Sequence, residues 1–398
     1  MSKLEELLKE YCPDGVEELP FNDVAEYLRG ITYNKSDEIN VAGEEGIPVF
    51  RANNITLEYN KLNFEDVKQV KTTVKVSYRQ WLKENDILIC AGSGSKEHIG
   101  KVAFIENDMK FTFGGFMGVI RVNNSIIMPR YMFHILTSPI FKLHLEKASG
   151  SSSSTINNIN NDTWRNWRIP VPPIEVQREI VRILDNFTEL TVELTAELTA
   201  RKKQYEYYRD QLLNFEKIVG VESKFLSDIA DISTGSSNTE DAEDTGIYPF
   251  YVRSQEPLRK NTFEYDEEAI ITAGDGVGVG KVFHYVNGKY ALHQRAYRIH
   301  PIAETVDGKY LFYYFSTKFP AYIAKTMYEG SVPSIRRPML NKFEVDVPDI
   351  ETQKRIVNVL DNFDTICSNL NTGLPAEIAA RQKQYEYYRD KLLSFKEN

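Results

Sequence analysis

The run Gly274-Asp275-Gly276-Val277-Gly278-Val279-Gly280-Lys281 carries closely spaced glycines ahead of a lysine, the composition from which a phosphate cradle could be built. A P-loop needs a further Gly five residues before its Gly-Lys pair and Ser or Thr after the lysine, so that backbone N–H groups surround the phosphates and a hydroxyl reaches Mg²⁺. Asp275 and Val282 stand at those two places, and Val279 stands where a dinucleotide fingerprint needs its third glycine. A tight turn between strands is the expectation for this segment. The six histidines, at 98, 134, 144, 284, 293 and 300, show no HExxH-like spacing with Cys, Asp or Glu, so no metal site is expected. His134 and His144 fall in a helical segment and read as structural. No GxSxG elbow is present. The Pro-Pro of VPPIE from Val171 lacks both the acid or amide and the aromatic residue of an adenine amino-methyltransferase motif. No catalytic residue can be named.

A second group of side chains suits DNA instead. Arg, Asn and Gln pair bidentately with base edges in the major groove, which favours Arg51, Asn53 and Asn54 in RANNIT, Arg253, Ser254 and Gln255, and Gln294 with Arg295 in LHQRAY. Hydroxyls, lysines and arginines in Gly-rich turns suit phosphate oxygens. Ser93, Ser95, Lys96 and Lys101 of the first half, and Lys281 of the second, are of this type. The tract SGSSSSTINNINND from Ser149, with Ser151 and Ser152, reads either as phosphate contact or as a flexible linker. Its counterpart GSVPSIRRP carries Arg336 and Arg337. A net charge of −9 argues against bulk attraction to nucleic acid, because non-specific affinity comes from neutralised phosphates. Any DNA contact must use local patches, with help from a partner.

The elements that hold these residues are duplicated. QYEYYRD occurs at Gln204 to Asp210 and again at Gln384 to Asp390, and VPPIEVQREIVRILDNF from Val171 aligns with VPDIETQKRIVNVLDNF from Val347. Such repeats define the architecture before any single motif does. In the first copy Ile180, Ile183, Leu184, Phe187, Leu190, Leu194, Leu198, Tyr205, Tyr208, Leu212 and Phe215 form one apolar stripe, and the second copy repeats it through Tyr385, Tyr388 and Leu392. A stripe this narrow predicts pairing with the other copy, with the tyrosines packed in the seam rather than stacked on bases. Thr372-Gly373-Leu374-Pro375 predicts that the second helix breaks and restarts. From Ile174 to Phe215 the first segment has 42 residues, a helix of about 60 Å.

Between the helices lie two blocks of short β-branched and aromatic runs. VEELPFNDVAEYLRG and VESKFLSDIADISTG open them, ending at Gly30 and Gly235; DILICAG and AIITAG come next, each leading through a Gly-rich loop, and helices start near Tyr131 and Tyr310. The fold class is α+β, with two mixed blocks of one plan. At 398 residues, with 42% hydrophobic and 26% charged, the chain has room for about two to three domains. Cys12, Cys90 and Cys367 are scattered and odd in number, which fits a reduced cytoplasm. Neither a signal peptide nor an apolar run of membrane-spanning length is present.

Variable block, helical repeat, variable block, helical repeat: over its whole length the chain resembles the specificity subunit of type I restriction-modification enzymes. The resemblance rests on the P-P/D-I-E-x-Q entries at Pro172 and Pro348, the GSSSS tract at Gly150, and LTVELTAELTA from Leu190 with RKKQYEYYRDQLL from Arg201, which look like the type IC branch. It implies target-recognition domains at 1–170 (variable from about residue 16) and 220–346, with helical spacers at 171–219 and 347–398 packed as an antiparallel coiled coil in a pseudo-two-fold repeat. Each domain would read half of a split double-stranded DNA site. Two methyltransferase subunits, which bind S-adenosylmethionine, and motor-nuclease subunits, which bind ATP and Mg²⁺, would be the partners of a non-catalytic, cofactor-free chain. The alternatives are a stand-alone DNA enzyme with unrecognised catalytic residues and a coiled-coil protein with no DNA role.

Overall fold

A computed structural model describes residues 3–39, 45–57, 60–94, 96–148, 159–215, 220–326, 333–368 and 372–395. The chain forms two compact units, one of residues 1–194 with 378–398 and one of residues 195–377. The divide falls inside the first long helix, Ile174–Leu212, rather than at either end of it.

In the first unit, strands Ala25–Arg29, Met117–Val122, Ile87–Cys90 and Val102–Phe104 lie side by side in that order, and a second sheet runs Lys68–Val70, Ile47–Phe50, Thr112–Phe113. All four residues of Ile87–Cys90 are buried, because the strand has a core on each face. Side chains alternate along a strand. Ile87 and Ile89 accordingly pack with Tyr131, Ile135 and Trp164, while Leu88 and Cys90 pack with Phe50, Phe113 and Val119.

The second unit repeats this plan as one six-stranded sheet: Ala230–Thr234, Ala296–Pro301, Tyr265–Ala273, Phe283–Leu292, Tyr248–Tyr251, Leu258–Lys260. Phe283–Leu292 is a single strand of 10 residues. Its counterpart in the first unit is interrupted between Phe104 and Thr112, which splits the sheet in two. Gly30 and Gly235 mark the same tight crossing: a Cβ would come within 2.1 Å of the Gly114 carbonyl oxygen in one and 1.9 Å of that of Leu292 in the other.

Each long helix is fastened where it begins. Ile174–Leu212 begins directly after Pro173 and Ile350–Ser368 two residues after Pro348. Gln177 in the first is fully buried, its Oε1 accepting the Met128 N–H at 2.8 Å and its Nε2 donating to the carbonyls of Ile126 (3.0 Å) and Pro172 (2.8 Å). Gln353 repeats the set with Asp307 N–H (2.9 Å) and the carbonyls of Thr305 (2.8 Å) and Pro348 (2.7 Å). Two turns further on, Asp185 is bridged by Arg130 (2.7 Å) and by the buried His134 Nε2 (2.9 Å), whose Nδ1 faces the Tyr385 hydroxyl at 3.1 Å. Burial pushes the His134 pKa down in spite of Asp185. Lys309 and the Tyr313 hydroxyl hold Asp361 in the second unit, at 2.6 and 2.7 Å. His144 is structural as well, Nε2 donating to the Thr163 carbonyl at 2.7 Å.

The helices pair antiparallel. Phe363 contacts Tyr205 and Tyr208 (6.2 and 5.8 Å between ring centres). Cys367, one turn onward, feels the charges of Lys202 and Arg201, one turn back. In the first unit Phe187 stacks on Tyr388 at 5.3 Å. The first helix stops at Leu212, and Leu213 and Phe215 turn into the second core; Leu393 and Phe395 do the same in the first. The second helix breaks as expected, resuming as Leu374–Leu393 after residues outside the described set. Leu212 and Leu392 are part of the cores, and Leu194 and Leu198 are half-buried. Leu190 needs correction: it is 43% exposed, and Thr191 is the buried residue of that turn. Among the described residues no helix is long and apolar enough to cross a membrane.

Gln353→Leu removes three hydrogen bonds at a buried site and leaves their backbone partners behind. We expect urea unfolding to show a loss of about 2–5 kcal/mol. Leucine at the exposed Gln211 should change stability by less than about 0.5 kcal/mol.

Candidate nucleic-acid interface

A cleft of about 750 Å³ opens at one end of the first block, where segments distant in sequence meet. Arg29, Lys35 and Arg51 line it against one carboxylate, Glu38, which Lys68 already pairs at 3.4 Å. Concave walls with an excess of one sign concentrate field and attract polyanions. Gly94 and Gly115 bring bare backbone to the surface, and Phe116 stands at the edge, 71% exposed.

Of the residues selected from sequence, the cleft gathers Arg51, Asn53 and Ser93. Asp66 orients the first two, at 2.8 Å from Arg51 Nη2 and 3.0 Å from Asn53 Nδ2. Arg51 Nε and His98 Nδ1 are buried and make no hydrogen bond among the described residues. Asn54 does not face the cleft as a base-reading residue must. It is fully buried, accepting the Arg51 N–H at 2.8 Å and donating to the Asn63 carbonyl at 2.9 Å, so it shapes the loop that presents its neighbours. Lys101 is also committed, its Nζ donating to the Leu57 carbonyl, and burial lowers its pKa. Ser95, Ser151 and Ser152 lie outside the described residues, as does the side chain of Lys96.

In the second block the Gly-rich run joins strand Tyr265–Ala273 to strand Phe283–Leu292, not a strand to a helix, which agrees with a turn. Gly276 and Gly280 have φ of +79° and +69°, and a Cβ on Gly280 would strike Ile323. Asp275 on this loop receives Arg253 Nη1 at 2.7 Å and Arg295 Nη1 at 3.2 Å. Burial raises the Asp275 pKa, and the hydrogen bond and charge of Arg253, with the charge of Arg295, more than reverse this and hold it below the usual carboxylate range. Backbone pairing of Asp275 with Ser334 brings the segment leading to the exposed Arg336 and Arg337 alongside. Gln294 is exposed and donates to Asn238; Gln255 and Lys281 are exposed. Ser254 bonds the Glu256 carbonyl at 2.7 Å and so shapes its turn.

The sequence reading missed Arg29, Tyr33, Lys35, His98 and Phe116 of the cleft, and Asp275 as the group that orients two arginines. Among the described residues no three His, Cys, Asp or Glu side chains cluster as metal ligands.

Comparison with known proteins gives one family. The type I restriction modification DNA specificity domain matches residues 13–202 and again 218–380. The chain is similar to the specificity subunit of the Escherichia coli type I restriction enzymes EcoR124I/EcoR124II, 36% identical over 257 residues that make up 57% of this chain and 63% of that one. It is likewise similar to a putative type I restriction enzyme specificity subunit of Haemophilus influenzae, 32% identical over 253 residues, with the same coverage of 57% and 63%. A putative type I specificity subunit of Mycoplasma pneumoniae is 33% identical over 230 residues, 54% of this chain and 89% of that one. The match thus spans under two thirds of the first two relatives. In fold the chain is similar to a crystal structure of a type I restriction-modification S subunit from M. genitalium, with TM-score 0.59 and 13% identity over 96% of this chain and 97% of that one. A second structure of a type I system gives TM-score 0.61 and 16% identity, over 96% and 98%.

The positive lining of the cleft carries a prediction. If duplex DNA lies across it, Lys35→Ala should weaken binding about equally for all sequences. Titration at several salt concentrations should show the slope of log K against log salt falling in magnitude by about one.

Proposed function

Because the chain belongs to the type I restriction modification DNA specificity family, we propose that it is the sequence-reading, non-catalytic subunit of a type I restriction-modification complex. Residues 1–170 read one half of a bipartite site in double-stranded DNA and residues 220–346 the other. The observation that carries this reading is a frame repeated down to its buried glutamines while the exposed tips differ: the first block offers Phe116, Arg51 and Asn53, the second Arg295 and Arg253. A shared frame with dissimilar tips is what reading two different sequences requires.

The helices dock two copies of a methyltransferase subunit and set the gap between half-sites. Support comes from their outward faces. Lys203, Glu206 and Tyr207 recur as Lys383, Glu386 and Tyr387, all exposed, with Tyr207 and Tyr387 at 62% and 61%. Packing does not require identity at such positions, whereas two copies of one partner would. The net charge of −9 fits tight binding only once partner subunits add positive surface. S-adenosylmethionine then belongs to the methyltransferase subunits, ATP and Mg²⁺ to the restriction subunits, and the assembly to the cytoplasm.

Exchange of residues 1–170 for the corresponding block of another family member should alter one half of the methylated motif, read by methylome sequencing. Change in both halves, or in neither, would refute the assignment. A second test concerns the gap. Deleting Leu194 to Glu197 shortens the helix by about 6 Å and rotates its C-terminal remainder by about 40°. Leu198 then takes the place of Leu194 in the stripe. The unspecified gap should contract by about one base pair, at about 3.4 Å per step, with both half-sites intact; an unchanged gap at full activity would show that the helix is not the ruler.

A further inference from the structure

The two blocks correspond residue by residue at one turn. In the first block the Gly92 N–H donates to the Phe116 carbonyl and the Met117 N–H to that of Gly114, at 2.9 and 2.8 Å; in the second, Gly274 donates to Arg295 and Ala296 to His293, at 2.8 and 2.9 Å. Phe116 and Arg295 therefore occupy the same position. Both are exposed, Phe116 by 71% and the Arg295 side chain by 60%. One scaffold position presents a benzyl group in one block and a guanidinium in the other.

Arg295 is not alone at its turn. Asp275 Oδ2 takes its Nη1 at 3.2 Å, and Asp275 Oδ1 takes Arg253 Nη1 at 2.7 Å. The loop that carries Asp275 is itself tied down: Ile335 N–H donates to the Gly274 carbonyl at 2.7 Å, and Gly276 N–H to that of Pro333 at 2.9 Å. Among the described residues the two guanidinium groups make no other side-chain hydrogen bond. Exposed ion pairs of this kind contribute little to stability. Their effect is orientation. One carboxylate occupies one nitrogen of each fork and leaves the remaining donors available. A rigid pair of parallel N–H donors matches the O6 and N7 acceptors of guanine in the major groove. A phosphate accepts the fork as well, but a phosphate contact carries no base preference, whereas a fork on O6 and N7 does, and lysine lacks the fork.

We infer that Arg253 and Arg295, oriented by Asp275, read guanine in the half-site of the second block, an inference that rests on the function proposed above. Asp275 is the positioning residue. The first block carries a benzyl group at the position of Arg295, so this contact is not available to it there.

The test is the adenine-methylation map of cells carrying the complete complex with Arg253→Lys, Arg295→Lys or Asp275→Asn, scored position by position. Each lysine variant should relax the preference for a G·C pair at one position of the second half-site by about 5- to 150-fold, from the discrimination typical of a bidentate arginine contact. The first half and the gap should stay as they are, and Asp275→Asn should relax the same positions less. Unchanged stringency in both lysine variants would assign the arginines to phosphate and overturn the inference. So would a second half-site without any G·C pair. If a variant abolishes methylation, competition by oligonucleotides with A·T at the position in question decides: retained preference for G·C overturns the inference, and lost preference supports it. None of these outcomes touches the assignment of blocks to half-sites, which fails if exchanging a whole block changes both halves of the motif or neither.

Discussion

Two buried carboxamides hold this molecule to its plan. Gln177 and Gln353 each accept one backbone N–H and donate to two carbonyls. Glutamine matches this demand because its side chain has an acceptor oxygen and two N–H donors, while glutamate cannot donate when ionised. Two of the three bonds join the start of the long helix to the connection that precedes the packed helix of the block, Pro129–Leu136 in one unit and Gly308–Thr326 in the other, and the third closes on the proline that leads into the long helix. With the helix fixed there, Tyr131 and Tyr310 reach the carbonyls of Pro170 and Asp346, at 3.0 and 2.6 Å, and the acidic residue further along the helix meets its cation. The sheet then rests on a frame whose geometry is the same twice.

The far ends of the helical segments complete the frame. QYEYYRD leads in each copy to a Leu and a Phe that enter a core, Leu213 and Phe215 with the second block, Leu393 and Phe395 with the first. Each block is therefore sealed by the helix that comes after it at one place and by the tail of the other helical segment at another. A buried apolar side chain contributes about 1.5–3 kcal/mol, so these tails are constrained in sequence by packing, while the turns at the open end of each sheet are not. Phe116 and Arg295 can differ completely because nothing in the core depends on them. Two levels of constraint in one chain separate what must stay the same from what is free to specify a partner.

The repeat, the helix break at Gly373 and Pro375, and the order of strands and helices were legible in the sequence, because each leaves a local mark: identity of letters, a breaker, alternating apolar runs. Positions within the stripe were less so. Leu190 and Thr191 are neighbours, periodicity alone favours the apolar one, and the fold buries Thr191 instead. The candidate interface was legible only as residue types. Asn54 has the chemistry of a base reader and is consumed by its own loop; Lys101 is consumed by Leu57. Arg29, Lys35, Arg51 and Phe116 come together from separate segments, which no local pattern announces. Asp275 was read as the residue that spoils a phosphate loop, and its role as the common partner of two arginines exists only after folding.

The methylated motif itself is the decisive quantity. Methylated adenines should be mapped in cells carrying the complete complex, with and without this gene. The expected result is a single motif of two specified halves around a fixed unspecified gap, present with the gene and lost without it. A contiguous motif, or a methylation pattern indifferent to the gene, would contradict the reading of two different sequences by two blocks on one repeated frame.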